Sequence, residues 1–147
     1  MENNKELVIK EMKSEKDWLK AFPVMKQLRT HLDEPEYLTL VKGAAEENGY
    51  VMYALFEENK VAAVIGFMPM TTLYNGKFIW VCDLVTDYAM RSLGYGQKLL
   101  EFIEDWSTKE GYKIISLSSG LQRRDAHRFY ENKVDFDKVS YVFLKRL

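Results

Sequence analysis

The chain is short of the features that mark special classes of protein. Cys82 is the one cysteine in 147 residues, so no intramolecular disulfide can form and a reducing compartment is expected. Three prolines and eight glycines make no linker or low-complexity tract, and no internal repeat divides the chain. Neither sign of charge is in excess. The 21 basic and 22 acidic side chains leave a formal net charge of −1, which argues against nucleic acid as a partner while permitting a local basic spot. No run approaches the roughly 20 apolar residues of a membrane span. The opening MENNKELVIKEMKSEKDW has no apolar stretch of signal-peptide length. His31, Cys82 and His127 lie far apart and show no zinc-ligand spacing, so no metal is expected. The expectation is a cytoplasmic protein with no membrane and no nucleic-acid partner; monomer and homodimer are both left open.

What remains is ordinary core material. Hydrophobic residues make up 47% and aromatics 14%, enough for a single domain over residues 1–147. Residues 7–12 (LVIKEM) read as a strand, and Ser14 can cap a helix carrying Trp18, Leu19, Phe22, Met25, Leu28 and Leu32 at helical spacing. Pro23 is expected to break or restart it. A second helix starts at Asp33-Glu34-Pro35, turns Tyr37, Leu38, Leu40, Val41, Ala44 and Ala45 inward, and ends at Asn48-Gly49. Strands follow over residues 50–56, 60–72 and 78–85, with turns at Glu57-Glu58-Asn59 and Asn75-Gly76 and with Pro69 at a strand end, edge or bulge. After Gly96 the period is helical up to Gly111, a left-handed terminator; residues 114–118 read as a strand, 125–132 as a helix and 139–144 (VSYVFL) as a last strand. This order describes a mixed central sheet flanked by helices, α/β in the α+β sense.

The most informative segment is DLVTDYAMRSLGYGQKLL, a buried-type strand that runs through Arg91-Ser92-Leu93-Gly94-Tyr95-Gly96 into an amphipathic helix. Glycines at a helix N-terminus let backbone N–H groups approach an anion, and the helix dipole favours its charge. A phosphate or pyrophosphate suits the place, with Arg91 and Lys98 as auxiliary cations. Two glycines in a tight turn can also be purely structural. Gln97-Lys98-Leu99 after Gly96 excludes a Walker loop, and Leu99 fits a dinucleotide-binding turn poorly.

The R-x-x-G-x-G text resembles the acetyl-CoA signature of the GNAT N-acetyltransferases, Q/R-x-x-G-x-G/A. A second block, Ala126-His127-Arg128-Phe129-Tyr130-Glu131 ending in Phe136, is similar to the A-x-x-F-Y-E-x-x-G-F block of the same family. The resemblance covers residues 78–136 and implies the GNAT acyl-CoA N-acyltransferase fold. It implies transfer of an acetyl group from acetyl-CoA, as co-substrate, to a primary amine on a small molecule or peptide by direct attack. The alternative is a non-catalytic CoA-binding sensor or interaction module that keeps the fold.

The same resemblance assigns roles. Backbone groups of Leu84, Val85 and Thr86 would bind the pantetheine arm. Backbone amides through Arg91, Ser92, Leu93, Gly94, Tyr95, Gly96 and Gln97, with the Lys98 side chain, would hold the pyrophosphate. Tyr130 is the candidate general acid for the departing thiolate; the other reading is an aromatic core residue. Asp83 is the candidate general base, or else a strand carboxylate paired with an Arg or Lys. Glu57 is a second choice. Arg128 is read either as a phosphate contact or as part of a solvated helix face. Cys82 reads as a small core residue rather than a nucleophile. Four departures stand out: Ser92 where many members have glycine, Asp135 where glycine usually precedes the phenylalanine, a Tyr130-to-Phe136 spacing longer by one residue, and SSGLQRR in place of the asparagine many members carry after the fifth strand.

Overall fold

The computed structural model describes residues 5–147 and divides after Ser116 into two compact units. The first unit holds β1 (Leu7–Glu11), α1 (Glu15–Leu28), α2 (Glu34–Asn48), β2 (Val51–Glu57), β3 (Lys60–Thr72), β4 (Gly76–Thr86) and α3 (Tyr95–Lys109), and it enters β5 (Ile115–Leu117). The five strands form one sheet in sequence order, in which the β1–β2, β2–β3 and β3–β4 pairs are antiparallel. This is the mixed α/β architecture expected.

Local chemistry sets the element ends. Ser14 and Asp17 form a capping box: Ser14 Oγ accepts from the Asp17 amide at 3.2 Å, and the Asp17 carboxylate accepts from the Ser14 amide at 3.4 Å. Asp33 Oδ1 accepts from the Glu36 amide at 2.9 Å ahead of Pro35, and Gly49 closes α2 with φ +72°. Glu58 and Asn59 take φ +46° and +71° between the paired Glu57 and Lys60, a two-residue turn whose twist suits a hairpin.

Two expectations are corrected, and Pro69 sits where β3 is an edge, as expected. Pro23 lies inside an unbroken α1. It removes one amide donor, yet Ala21, Val24 and Met25 are buried around it and keep the helix on the sheet. Leu40 faces solvent at 57% exposure; Tyr37 and Val41 carry the buried face of α2. Pro69 stands within β3, opposite Ile79 of β4, and pairing with β2 has already stopped at Phe67. Its missing N–H therefore costs no ladder bond.

Strand alternation divides the core between two faces. Met52, Ala54 and Phe56 of β2 pack with Ala21, Val24, Met25, Tyr37 and Val41 beneath α1 and α2. Tyr53, pointing the other way, meets Phe102 of α3 at 4.8 Å between ring centroids, and Phe67 meets Trp106 edge-on at 4.9 Å. Leu99, Leu100 and Ile103 of α3 are fully buried.

The second unit centres on α4 (Arg124–Asn132), where Tyr130 stands edge-on to Phe129 and Phe136 at 5.4 and 5.8 Å. His127 contacts the Gly120 carbonyl through Nε2 at 2.8 Å. The strand expected over residues 139–144 is absent, and Val139, Tyr141, Val142, Phe143 and Leu144 are exposed. The pattern is strand-competent, but a strand exists only when another completes its backbone bonds. Among the described residues no helix is long and apolar enough to cross a membrane.

Candidate active site

The decisive irregularity is in the middle of β4. Gly66 pairs with Asp83 and Phe67 with Val81, so Cys82 is one residue too many and has no partner on β3. A bulge of this kind re-aims the backbone and side chains beside it. Arg29, directly after α1, clamps it: Nη2 donates to the Cys82 carbonyl at 2.8 Å and Nε to Asp83 Oδ1 at 2.9 Å. The Tyr50 hydroxyl donates to Asp83 Oδ2 at 2.7 Å. Burial first, and the Asp83 charge second, push the Tyr50 phenol well above its ordinary pKa, so it remains a donor. Burial and the same carboxylate push the Cys82 thiol up to about 12, although Arg29 opposes them.

Below the bulge β4 has a neighbour on its outer side, with the Ile79 amide donating to the Ile114 carbonyl at 3.0 Å. β5 stops at Leu117, whereas β4 runs on through Leu84 and Val85 to Thr86. The chain then turns under tight control. The Asp87 amide donates to the Ala62 carbonyl at 2.8 Å, the Tyr88 amide to Gln27 Oε1 at 2.9 Å, and Arg91 Nε reaches back to the Thr86 carbonyl at 3.4 Å.

Gly94, at φ +82°, is the N-cap of α3. Ser92 also takes the left-handed region at φ +67°, and Asp135 does the same at φ +59°, a conformation that favours glycine. The first amide of α3 to find an intrahelical acceptor is that of Lys98, bonded to the Gly94 carbonyl at 3.0 Å. Helix geometry therefore aims the N–H groups of Tyr95, Gly96 and Gln97 out of the helix end, beside the positive end of its dipole.

Tyr95 points its side chain the other way. It is 2% exposed, and its hydroxyl donates to Glu57 at the end of β2. Lys5 Nζ lies 3.0 Å from the other carboxylate oxygen. The Tyr95 phenol, and then the Lys5 ammonium, hold the Glu57 carboxyl below its ordinary range. The glycine turn is thus pinned to the sheet from below.

A model of the Acetyltransferase (GNAT) family matches residues 14–136. The chain belongs to this family. As a GNAT acetyltransferase it is 41% identical over 137 residues to the uncharacterized N-acetyltransferase YhdJ of Bacillus subtilis strain 168, covering 93% of this chain and 96% of that one. It is 33% identical over 82 residues to the aminoalkylphosphonate N-acetyltransferase of Salmonella typhimurium strain LT2, about half of each chain (54% and 53%). The fold superposes on the aminoglycoside N-acetyltransferase AAC(6')-Iy solved with CoA, at TM-score 0.86 and 11% identity, covering 100% of this chain and 98% of that one. The protein is accordingly a GNAT N-acetyltransferase.

Of the residues singled out in the sequence, Asp83, Leu84, Val85 and Thr86 lie on β4, and Arg91 to Lys98 span the turn and the first turn of α3. Tyr130 lies half-buried on α4 in the second unit, and burial raises its phenol above 10, with Arg123 opposing. Arg128 pairs with Asp125 one turn away on α4. Sequence reasoning missed Arg29, Tyr50 and Gly66. Their partners are 54, 33 and 17 positions away by number (83 − 29, 83 − 50 and 83 − 66), and only the sheet register brings them together. The bulge itself leaves no compositional signal in β4.

Proposed function

We propose that this chain moves an acetyl group from acetyl-CoA to a primary amine on a small molecule or peptide. The observation that carries the proposal is the pairing of a clamped bulge in β4 with a glycine-capped helix end directly after the same strand. Beyond the bulge, β4 offers peptide groups to an amide-bearing arm. The outward N–H groups of Tyr95, Gly96 and Gln97, with the exposed Lys98 ammonium, suit the pyrophosphate at the arm's far end.

Acetyl-CoA supplies the activated acyl group as a thioester. The amine forms the new C–N bond as the C–S bond breaks, with no acyl-enzyme between them. A backbone N–H near Leu84 and Val85 stabilises the oxyanion. Asp83 takes the amine proton through lone pairs that Arg29 and Tyr50 leave uncovered; its side chain keeps 16% of its surface exposed. Tyr130 returns a proton to the thiolate, and its raised pKa keeps it protonated for that task at neutral pH. A reducing cytoplasm suits a protein whose only thiol, Cys82, is left free.

The acceptor is an amine in the relatives whose names specify one, an aminoalkylphosphonate and an aminoglycoside. The test is a thiol-release screen across polyamines, amino acids, aminoalkylphosphonates, aminoglycosides and peptide N-termini. At least one amine should turn over, and Tyr130→Phe should lower kcat by about 100-fold or more while CoA affinity holds. Tight CoA binding with no turnover of any amine would favour a CoA-responsive sensor instead.

A further inference from the structure

The fold uses only one edge of the Arg29 guanidinium. Arginine carries five N–H donors on a rigid plane. The edge formed by Nε and Nη2 is occupied by the β4 bulge, 2.9 Å from Asp83 Oδ1 and 2.8 Å from the Cys82 carbonyl. The other edge, Nη1 with the second hydrogen of Nη2, has no acceptor among the described residues, and the side chain keeps 39% of its surface exposed. The carboxylates nearest to this pair in sequence, Asp33 and Asp87, accept from backbone amides of their own turns instead, Glu36 at 2.9 Å and Ala89 at 3.0 Å.

The open fork is also held in place. Arg29 is the C-cap of α1, and its amide donates to the Met25 carbonyl at 2.9 Å. The loop beyond it is fastened twice: the Lys26 ammonium donates to the Leu32 carbonyl at 2.5 Å, and the Leu32 amide to the Arg29 carbonyl at 3.1 Å. A planar fork fixed in this way matches the paired oxygens of a carboxylate or phosphonate, and little rotamer freedom is left to lose on binding.

Charge decides what kind of molecule brings that anion. An amine that approaches Asp83 also meets the Arg29 cation bound to the same carboxylate. The arriving ammonium is repelled by that cation unless its own molecule carries a compensating anion. A short zwitterion satisfies both ends: its ammonium faces Asp83, its anion closes the open edge of Arg29, and the four charges alternate in sign. We propose that the acceptor is a small amine bearing a carboxylate or phosphonate a few carbons from its nitrogen, and that Arg29 selects it. This inference rests on the acetyl-transfer reading and narrows its acceptor.

Matched pairs of amines that differ in the anion test it: 2-aminoethylphosphonate against ethanolamine, and β-alanine against propylamine. Each is titrated into the full chain in the presence of CoA and assayed for acetyl transfer from acetyl-CoA. In at least one pair the anionic member should bind, and turn over by kcat/KM, about tenfold better or more. Arg29→Gln should bring that ratio close to one, and Arg29→Lys, which keeps a point charge, should leave it in between. If Arg29 only clamps the bulge, its variants will slow both members alike and leave the ratio unchanged, which would overturn the proposal. Equal binding and equal kcat/KM within both pairs would overturn it on the parent protein alone, while leaving acetyl transfer to amines standing. Selective binding of the anionic member without turnover would reject the transfer reading and keep the anion site; no binding and no turnover would reject both.

Discussion

Tyr50 lays its hydroxyl where a side chain on Gly66 would begin, and Gly66 is the register partner of Asp83. The missing Cβ is what allows the phenol to cross β3 and reach the carboxylate. A methyl group at this position would overlap the Tyr50 ring, whose 2.7 Å bond to Asp83 would break as the ring moved. Gly66→Ala should therefore lower stability by about 1–3 kcal/mol, the usual range for overpacking. Denaturant unfolding measures it. An unchanged midpoint would show that the ring moves freely.

Arg29 is the clamp on the bulge, because a planar fork can serve a carbonyl and a carboxylate together. Lysine offers one point charge. Arg29→Lys should lose about 1–2 kcal/mol of stability. It should also lower kcat more than it weakens acetyl-CoA binding, since the pyrophosphate site on α3 is untouched. Steady-state kinetics beside a CoA titration separates the two. A loss of CoA affinity with kcat unchanged would show that the bulge serves binding alone.

Much of this was legible in the chain, for identifiable reasons. Ser14, Asp33, Gly49 and Gly94 act on neighbours within a few positions, so their roles follow from local sequence. The turn from Arg91 to Gly96 carries its chemistry in residue types and spacing. Arg29, Tyr50, Gly66 and the Tyr95–Glu57 contact draw their meaning from strand register and from long-range partners, which no local window contains. Pro23 and residues 139–144 show the converse. Tertiary burial overrides a local helix breaker, and a strong local strand pattern stays irregular without a partner.

Glu57 gives the protein an acid-sensitive joint beneath the glycine turn. Its carboxyl is held below the ordinary 4.5 by Tyr95 first and Lys5 second. A group with a lowered folded pKa contributes stability that is present above its unfolded value and lost as pH falls through its folded one. This contribution is therefore complete at neutral pH and disappears below about pH 4.5. Glu57→Gln should be less stable than the parent at neutral pH and should flatten the acid limb of a stability–pH profile. Parallel acid limbs would assign that titration to other carboxylates. Tyr95→Phe should weaken CoA binding severalfold by loosening the same joint.

Cys82 should be a slow thiol. With its pKa pushed up to about 12 by burial and by Asp83, almost none is thiolate near neutrality. Alkylation by a maleimide at pH 7 should run at least 100-fold slower than for free cysteine, and Cys82→Ser should keep transferase activity. Labelling at the rate of free cysteine would show that the thiol is solvated.

The most direct test of the acetyl-CoA reading is calorimetric titration of the purified chain with acetyl-CoA. One site per chain, saturating below millimolar cofactor, is the predicted result. Affinity should fall when Gly94→Pro or Gly96→Pro closes the end of α3. Absence of any binding heat at millimolar acetyl-CoA would contradict the assignment of the β4 edge and the α3 N-terminus as its site.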